Sequence, residues 1–402
     1  MTLVYRAINA AKVQAFEDPI VRSPDGFRGG LVLEDATDAP LRHTRDGRPF
    51  DSFRAGAEYT VRLEGEHVYA GPIHHHFGHF MSEMVHRILP AKRLGLKGPF
   101  LFVTTAGGTP HPAYGDFPGF AKEILSFLEI GPRDVRVVSE NTVVDLLHVL
   151  EAGSDLGGGP KPGYLDALRP FAARRLDALH GATARPAKLY VSRSALAPEG
   201  SVLGESYFER QLEREGFTVF RPEEWRFTPQ MDHYRKAEAV VFPEGSACHG
   251  AELLGAGMID RTFLISRRQG QSRTFRRVLE PRSMAFEAAE GCAEYLGTAS
   301  IHPRTGTPLT HVGVSWLDLG AAAAFFRDRG LAALPHLSAR DYAEAAEADF
   351  RRYMAFQSRP GGWWNEELAT RLRAAFAAKM ASIQALWMPA AGAGPAGGGA
   401  AL

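Results

Sequence analysis

The sequence predicts an α/β fold built as two tandem units, and three observations carry that prediction. Short apolar runs alternate with stretches of helical spacing between about residues 67 and 138. The same alternation restarts at 188 and continues to 265. Between the two lie Gly157-Gly158-Gly159-Pro160-Lys161-Pro162-Gly163 and Gly181-Ala182-Thr183-Ala184-Arg185-Pro186, which regular elements avoid. A chain of 402 residues has room for two or three domains.

In chain order, residues 1–70 read as short strands and turns, with Leu31-Val32-Leu33 and Tyr59-Thr60-Val61-Arg62-Leu63 as strands. His67-Val68-Tyr69-Ala70 is a further strand ended by Gly71-Pro72. Phe77 to Leu94 has helical spacing, with Phe80, Met84, Ile88 and Leu89 on one face. A strand at 100–103, a helix at 120–130 and a strand at 135–138 follow. A helix at about 164–180 closes the first unit, and the boundary is placed near 184. The second unit opens with a strand at 188–192 and a helix at 205–215 ended by Gly216. A strand at 218–220 follows. Thr228-Pro229 then starts a helix to about 237. Strands at 239–242 and 262–265 complete the alternation. Beyond 320 the chain turns helical, with an apolar stripe at Trp364, Leu368, Leu372, Phe376, Met380 and Ile383. The expected layout is 1–183, 184–320, a helical segment 321–390 packing back on the core, and a disordered Ala/Gly/Pro tail 391–402.

Hydrophobic residues make up 45% of the chain, charged residues 23%, and the net charge is +0. That balance gives no support for binding nucleic acid or an anionic membrane surface. Of the 46 basic residues only 8 are Lys, so arginine, which grips phosphate bidentately, dominates. Two cysteines, Cys248 and Cys292, exclude a disulfide scaffold. The N-terminus has no apolar signal region and no window is apolar enough to span a bilayer. The expected location is the cytoplasm.

Chemistry concentrates in four places. In His74-His75-His76-Phe77-Gly78-His79-Phe80-Met81-Ser82-Glu83, a helix would put His79, Glu83, His86 and Arg87 on one face. Glu83 then reaches His79 or Arg87 at i±4 spacing, and a histidine backed by a carboxylate serves as a general base. The alternatives are a solvent-facing histidine run and a metal centre at His75, His76 and His79, although the His-Glu-x-x-His order is absent. The second place is Ala239 to Leu254, a buried strand, a turn at Glu244-Gly245-Ser246 and a helix start. That is where anions bind in α/β sheets. Cys248 reads there as a buried, inert thiol. The third is Arg193, at the end of another strand, read either as an anion grip or as a surface ion pair. The fourth is 261–282, where Arg261, Arg267, Arg268, Arg273, Arg276, Arg277 and Arg282 face only Glu280. This run is a diphosphate dock or a solvated basic face.

Taken together, these features resemble glycosyltransferase family 61, whose bacterial members are often described as capsular polysaccharide biosynthesis proteins. The likeness rests on Gly78-His79-Phe80 with Glu83 and Arg87, on Arg193, Glu205 and Gly216-Phe217, on Pro222-Glu223 with Gln230, and on Val240-Val241 with Gly245-Ser246-Ala247. It covers about 70–265. Gly204 stands where the family has Asn. Glu244-Gly245-Ser246 stands where many relatives have His-Gly-Ala, so Glu244 or His249 must take that histidine's part. The resemblance implies a GT-B-like pair of Rossmann-type domains with a cleft between them. It also implies inverting transfer from a nucleotide sugar, most simply a UDP-sugar, to a glycan acceptor, with no tightly bound cofactor or metal. His79 and Glu83 would be catalytic, and His76 and Arg87 would contact the acceptor. Arg193, Glu205, Glu244, Gly245, Ser246, His249, Arg267 and Arg268 would bind the donor. A lipid-linked acceptor would bring the protein to a membrane surface. A metal-dependent hydrolase and a non-catalytic polysaccharide-binding protein are the rival expectations.

Overall fold

A curled six-stranded sheet and a five-stranded sheet form the two halves of the molecule. The computed structural model describes residues 3–17, 26–73, 76–104, 113–181, 186–196, 199–268, 270, 272–303, 305–360 and 363–387. The first sheet runs Gly30–Leu31, Tyr5–Gln14, Thr142–Leu150, Val61–Pro72, Phe100–Val103, Val135–Val138. Its last four strands are parallel and the first two pair antiparallel. Alternation along the central strands buries both faces. Val68, Ala70, Phe100 and Phe102 face one core, while Tyr69, Leu101 and Val103 face a second core with Val13, Phe16 and Leu147. The sheet curls round that second core, so that the Phe16 N–H reaches the carbonyl of Thr104 at 3.1 Å.

The second sheet is wholly parallel, in the order Phe217–Phe220, Lys188–Val191, Ala239–Pro243, Ile259–Ile265, Ser283–Ala289. The first strand of this half therefore lies between the second and third. The connections leave it in opposite directions, which opens a crevice at the carboxyl ends of 188–191 and 239–243. The Arg193 and Glu244-Gly245-Ser246 segments emerge there.

A small sheet of Val202–Leu203, Val314–Leu317 and Ala293–Gly297 flanks this half, with helices Leu319–Asp328, Ala339–Gln357 and Glu366–Trp387 beyond it. Leu372 and Phe376 from the expected apolar stripe are buried with Trp316, Tyr342 and Phe350. Phe376 stacks on Phe350 at 4.0 Å. The helical segment thus belongs to the core of the second half. The largest apolar cluster runs through both halves, joining Val68, Phe80 and Leu168 to Leu189, Val240 and Leu264. Among the described residues no helix is long and apolar enough to cross a membrane.

Several expectations need correction. The strands expected at 59–63 and 67–70 are one strand, Val61–Pro72, with a bulge between Tyr69 and Gly71. The helix expected to start at Thr228 starts at Phe227. The continuous helix expected over 77–94 is broken into an α-turn Phe77–His79, a π-turn Phe80–Met84 and a helix Ile88–Arg93. The wide π-turn buries Phe80, Met81, Glu83 and Met84 together. It also removes His86 and Arg87 from the face they were expected to share with His79. Parts of the domain boundary near 184, and all of 391–402, lie outside the described residues.

Candidate active site

The π-turn aims Glu83 into a nest of donors. Its carboxylate accepts from His79 Nδ1 at 2.6 Å, His43 Nε2 at 2.8 Å, and Arg45 Nε and Nη2 at 2.7 and 3.0 Å. Burial alone would raise the Glu83 pKa, but the His43 and His79 hydrogen bonds and the Arg45 charge hold it well below the usual range. The anion therefore persists, and it fixes His79 with Nδ1–H toward Glu83 and the Nε2 lone pair on the other side of the ring. His79 lines a cavity of about 480 Å³ with His76, Arg193, Ser246, His249 and Arg268.

The opposite wall is the turn after the strand Ala239–Pro243. Gly245 packs so tightly on Arg193 that a Cβ there would lie 1.8 Å from Nη1. Arg193 is 2% exposed and donates to the carbonyls of Glu199 and Gly200 at 2.9 and 3.1 Å, and its Nε has no hydrogen-bond partner among the described residues. Arg267 is likewise buried and donates to the carbonyls of Glu244, Gly313 and His311. Among the described residues neither guanidinium has a carboxylate within ion-pairing distance. Burial, followed by the Arg193 and Arg268 charges, pushes the Arg267 pKa well down.

Glu244 is fully buried below the turn. It accepts from the Arg267 and Arg268 N–H groups, both at 3.1 Å, and from Arg268 Nε at 2.7 Å. It anchors the arginine loop and does not line the cavity. His249 does line it. Its Nδ1 meets Glu252 at 3.1 Å, and Glu252 meets buried Arg282 at 3.1 Å. The two walls touch at Gly78, where a Cβ would lie 3.1 Å from His249 Cδ2 and 3.2 Å from His76 Cε1.

The structure thus gathers His76, His79, Arg193, Gly245, Ser246, His249, Arg267 and Arg268 round one cavity. It keeps four expected site residues off the cavity wall, Glu83 and Glu244 as described, and Arg87 and Glu205. Arg87 is buried and donates to the carbonyls of Leu41, Arg42 and Leu150, which ties the first half together. Glu205 lies behind Arg193, accepting from its backbone N–H and from Tyr190 OH, both at 3.0 Å. Burial and the neighbouring Glu209 push its pKa up to about 8, so it adds no charge to the turn at neutral pH. Gly204 before it adopts φ 86 with the Tyr342 ring 2.1 Å from where a Cβ would stand, so no side chain fits there without displacing Tyr342. The basic run at 261–282 divides. Arg267 and Arg268 serve the cavity, Arg282 holds Glu252, and Arg276 pairs on the surface with Glu280. Burial raises the Cys248 pKa to about 12, as an inert thiol requires.

A second cavity of about 670 Å³ adjoins the first and shares His76, Arg193 and Ser246 with it. Phe77, Phe120 and Glu123 of the first half face Trp225 and Phe227 of the second across it. Trp225 is 44% exposed and stacks on Phe220 at 5.5 Å.

Sequence reading missed His43, Arg45, Glu252 and Arg282 as site residues. His43 and Arg45 come from a joint 40 residues upstream and only tertiary structure brings them to Glu83. Glu252 stands at i+3 from His249, a helical spacing close to the i+4 that singled out Glu83. The hydrolase expectation finds no support: His75 lies outside the described residues, and among these no three His, Cys, Asp or Glu groups gather as a metal set. Residues 77–257 match the family model described as Glycosyltransferase 61. No curated protein matches the chain.

Proposed function

Given that the chain belongs to glycosyltransferase family 61, and is therefore a glycosyltransferase acting on a sugar donor and a glycan acceptor, we propose that it transfers a sugar from a nucleotide donor, with inversion, during synthesis of a cell-surface polysaccharide in the cytoplasm. The observation that carries the donor assignment is the charge at the turn. Arg193, Arg267 and Arg268 gather about one buried carboxylate, Glu244, and among the described residues only Arg268 is ion-paired with it. Buried charge without a counter-ion is costly, and a diphosphate supplies the missing charge. The Ser246 hydroxyl and the turn beside it offer further donors.

The acceptor occupies the neighbouring cavity with its ring against Trp225, and its hydroxyl meets His79 where the two cavities join. His79 Nε2 takes the hydroxyl proton as the oxygen attacks the anomeric carbon. Glu83 and Glu252 are buried and engaged by arginine, which suits them to orient histidines rather than to attack carbon. That supports a single displacement, and hence inversion. The parallel second sheet with its crevice fits the donor half of a GT-B arrangement. The reading needs no bound metal, and a lipid-linked acceptor would bring the protein to the membrane surface. Titration calorimetry with UDP- and GDP-sugars tests it. A UDP-sugar should bind at micromolar concentration, and folded protein that binds neither would overturn the proposal.

A further inference from the structure

The cleft contains two triads of the same make, one from each half: Arg45–Glu83–His79 and Arg282–Glu252–His249. We infer that His249 is the second catalytic histidine, acting on the departing diphosphate, and that Glu252 and Arg282 are its positioning residues. The inference rests on the transfer reaction proposed above and extends it to the leaving group.

Position separates the two roles. His249 follows Gly245 and Ser246 within one turn and shares the cavity wall with Arg193 and Arg268. His79 stands on the opposite wall, in the segment that continues into the second cavity through His76 and Phe77. The ring of His249 is held on two sides and accommodated on a third. Glu252 holds Nδ1, Phe275 packs on it at 5.3 Å, and the absent side chain of Gly78 leaves room for Cδ2. Glu252 is fixed in turn. Arg282 donates to its carboxylate at 3.1 Å and to its carbonyl at 2.8 Å, and is itself wholly buried. Burial would raise the Glu252 pKa, yet Arg282 and His249 hold it down, so the carboxylate stays ionised. His86 lies 3.8 Å behind Glu252, but burial pulls its pKa to about 4, so it is neutral there and adds no charge.

In the proposed step the imidazole carries both ring protons, one on Nδ1 toward Glu252 and one on Nε2 for the phosphoryl oxygen. In the transfer step the acceptor oxygen bonds to the anomeric carbon and gives its proton to His79. The bond from that carbon to the phosphoryl oxygen breaks, and its electron pair goes to the phosphoryl oxygen, which accepts the His249 hydrogen. Charge develops on that oxygen only as the bond breaks, so the contact stabilises the transition state and the product more than the bound donor.

The experiment compares wild type with His249→Asn, which keeps a polar side chain beside the Glu252–Arg282 pair. Calorimetry should show free UDP binding about tenfold more weakly, and the UDP-sugar changing less than about threefold, because only UDP bears the freed oxygen. The kcat should fall about 10²–10³-fold with acceptor KM unchanged. Added imidazole should restore part of the kcat of His249→Ala, and Glu252→Gln should lower kcat in the same direction by about tenfold. Equal loss of UDP and UDP-sugar affinity with kcat intact would reduce His249 to a wall residue and overturn the inference. UDP affinity and kcat at wild-type levels in His249→Asn would overturn it too. A wild-type protein that binds no nucleotide would instead remove the transfer reading on which it stands.

Discussion

Gly245 offers the sharpest test of the phosphate cradle, through the substitution Gly245→Ala. The backbone there is extended, with φ 164 and ψ −176, so alanine adopts it without strain and the methyl group acts by volume alone. That methyl would stand 1.8 Å from Arg193 Nη1 and 2.7 Å from Cζ. Comfortable contact needs about 3.5 Å, so the guanidinium must retreat by about 1.5–2 Å. It is walled in, and its bonds to Glu199 and Gly200 at 2.9 and 3.1 Å would break. A hydrogen bond from a charged group contributes about 1.5–3 kcal/mol, so displacing Arg193 should weaken diphosphate binding by about 10–100-fold. Overpacking should cost a further ~1–3 kcal/mol of stability. Titration calorimetry with UDP measures the first effect and thermal melting the second. Arg193→Ala should match the binding loss without the overpacking cost. A Gly245→Ala protein that melts lower but binds UDP within about twofold of wild type would refute Arg193 as a phosphate ligand.

Other substitutions probe the remaining parts. Glu83→Gln should lower kcat by about 10²-fold and destabilise the fold by ~3 kcal/mol, since Arg45 loses its buried carboxylate. The Glu83 pKa is depressed, so its contribution is present above about pH 4.5 and fades as pH falls toward its folded value. The gap in melting temperature between wild type and Glu83→Gln should therefore narrow in acid. Glu205 has the opposite sign: raised to about 8, it loses stability for the fold as pH climbs from about 4.5 to 8. Glu205→Gln should melt progressively higher than wild type over that range, and a constant difference would contradict the assignment. Trp225→Ala should raise acceptor KM about tenfold and leave UDP affinity unchanged. Loss of UDP affinity instead would move the nucleobase, not the glycan, onto that ring.

The parallel sheet of the second half was legible because each of its first four strands is a short apolar run followed by a turn signal. The first half hid more. The strands Tyr5–Gln14 and Thr142–Leu150 pair across more than a hundred residues, and local pattern carries no trace of that register. His79 with Glu83 was readable from spacing alone. The π-turn was not, and it decided that His86 and Arg87 leave the site while His43 and Arg45 enter it. Arginine roles were only partly legible. Arg193 reads either as an anion grip or as a surface ion pair and is buried, Arg267 is expected at the donor and is buried too, and Arg87 looks like a ligand yet braces backbone carbonyls. Charge at a strand end points toward a cleft, but only packing reveals which charges are already matched.

The segment 77–257 contains His79, Glu83, His249 and Glu252 but neither of the arginines that steady them, since Arg45 precedes it and Arg282 follows. It also begins after the strands Tyr5–Gln14 and Val61–Pro72 and ends before Ile259–Ile265, so each sheet is cut through. The matched segment is therefore not a module that could be excised and grafted. It is the lining of a cleft, and the frame that keeps the lining charged and in shape is supplied by the chain on either side.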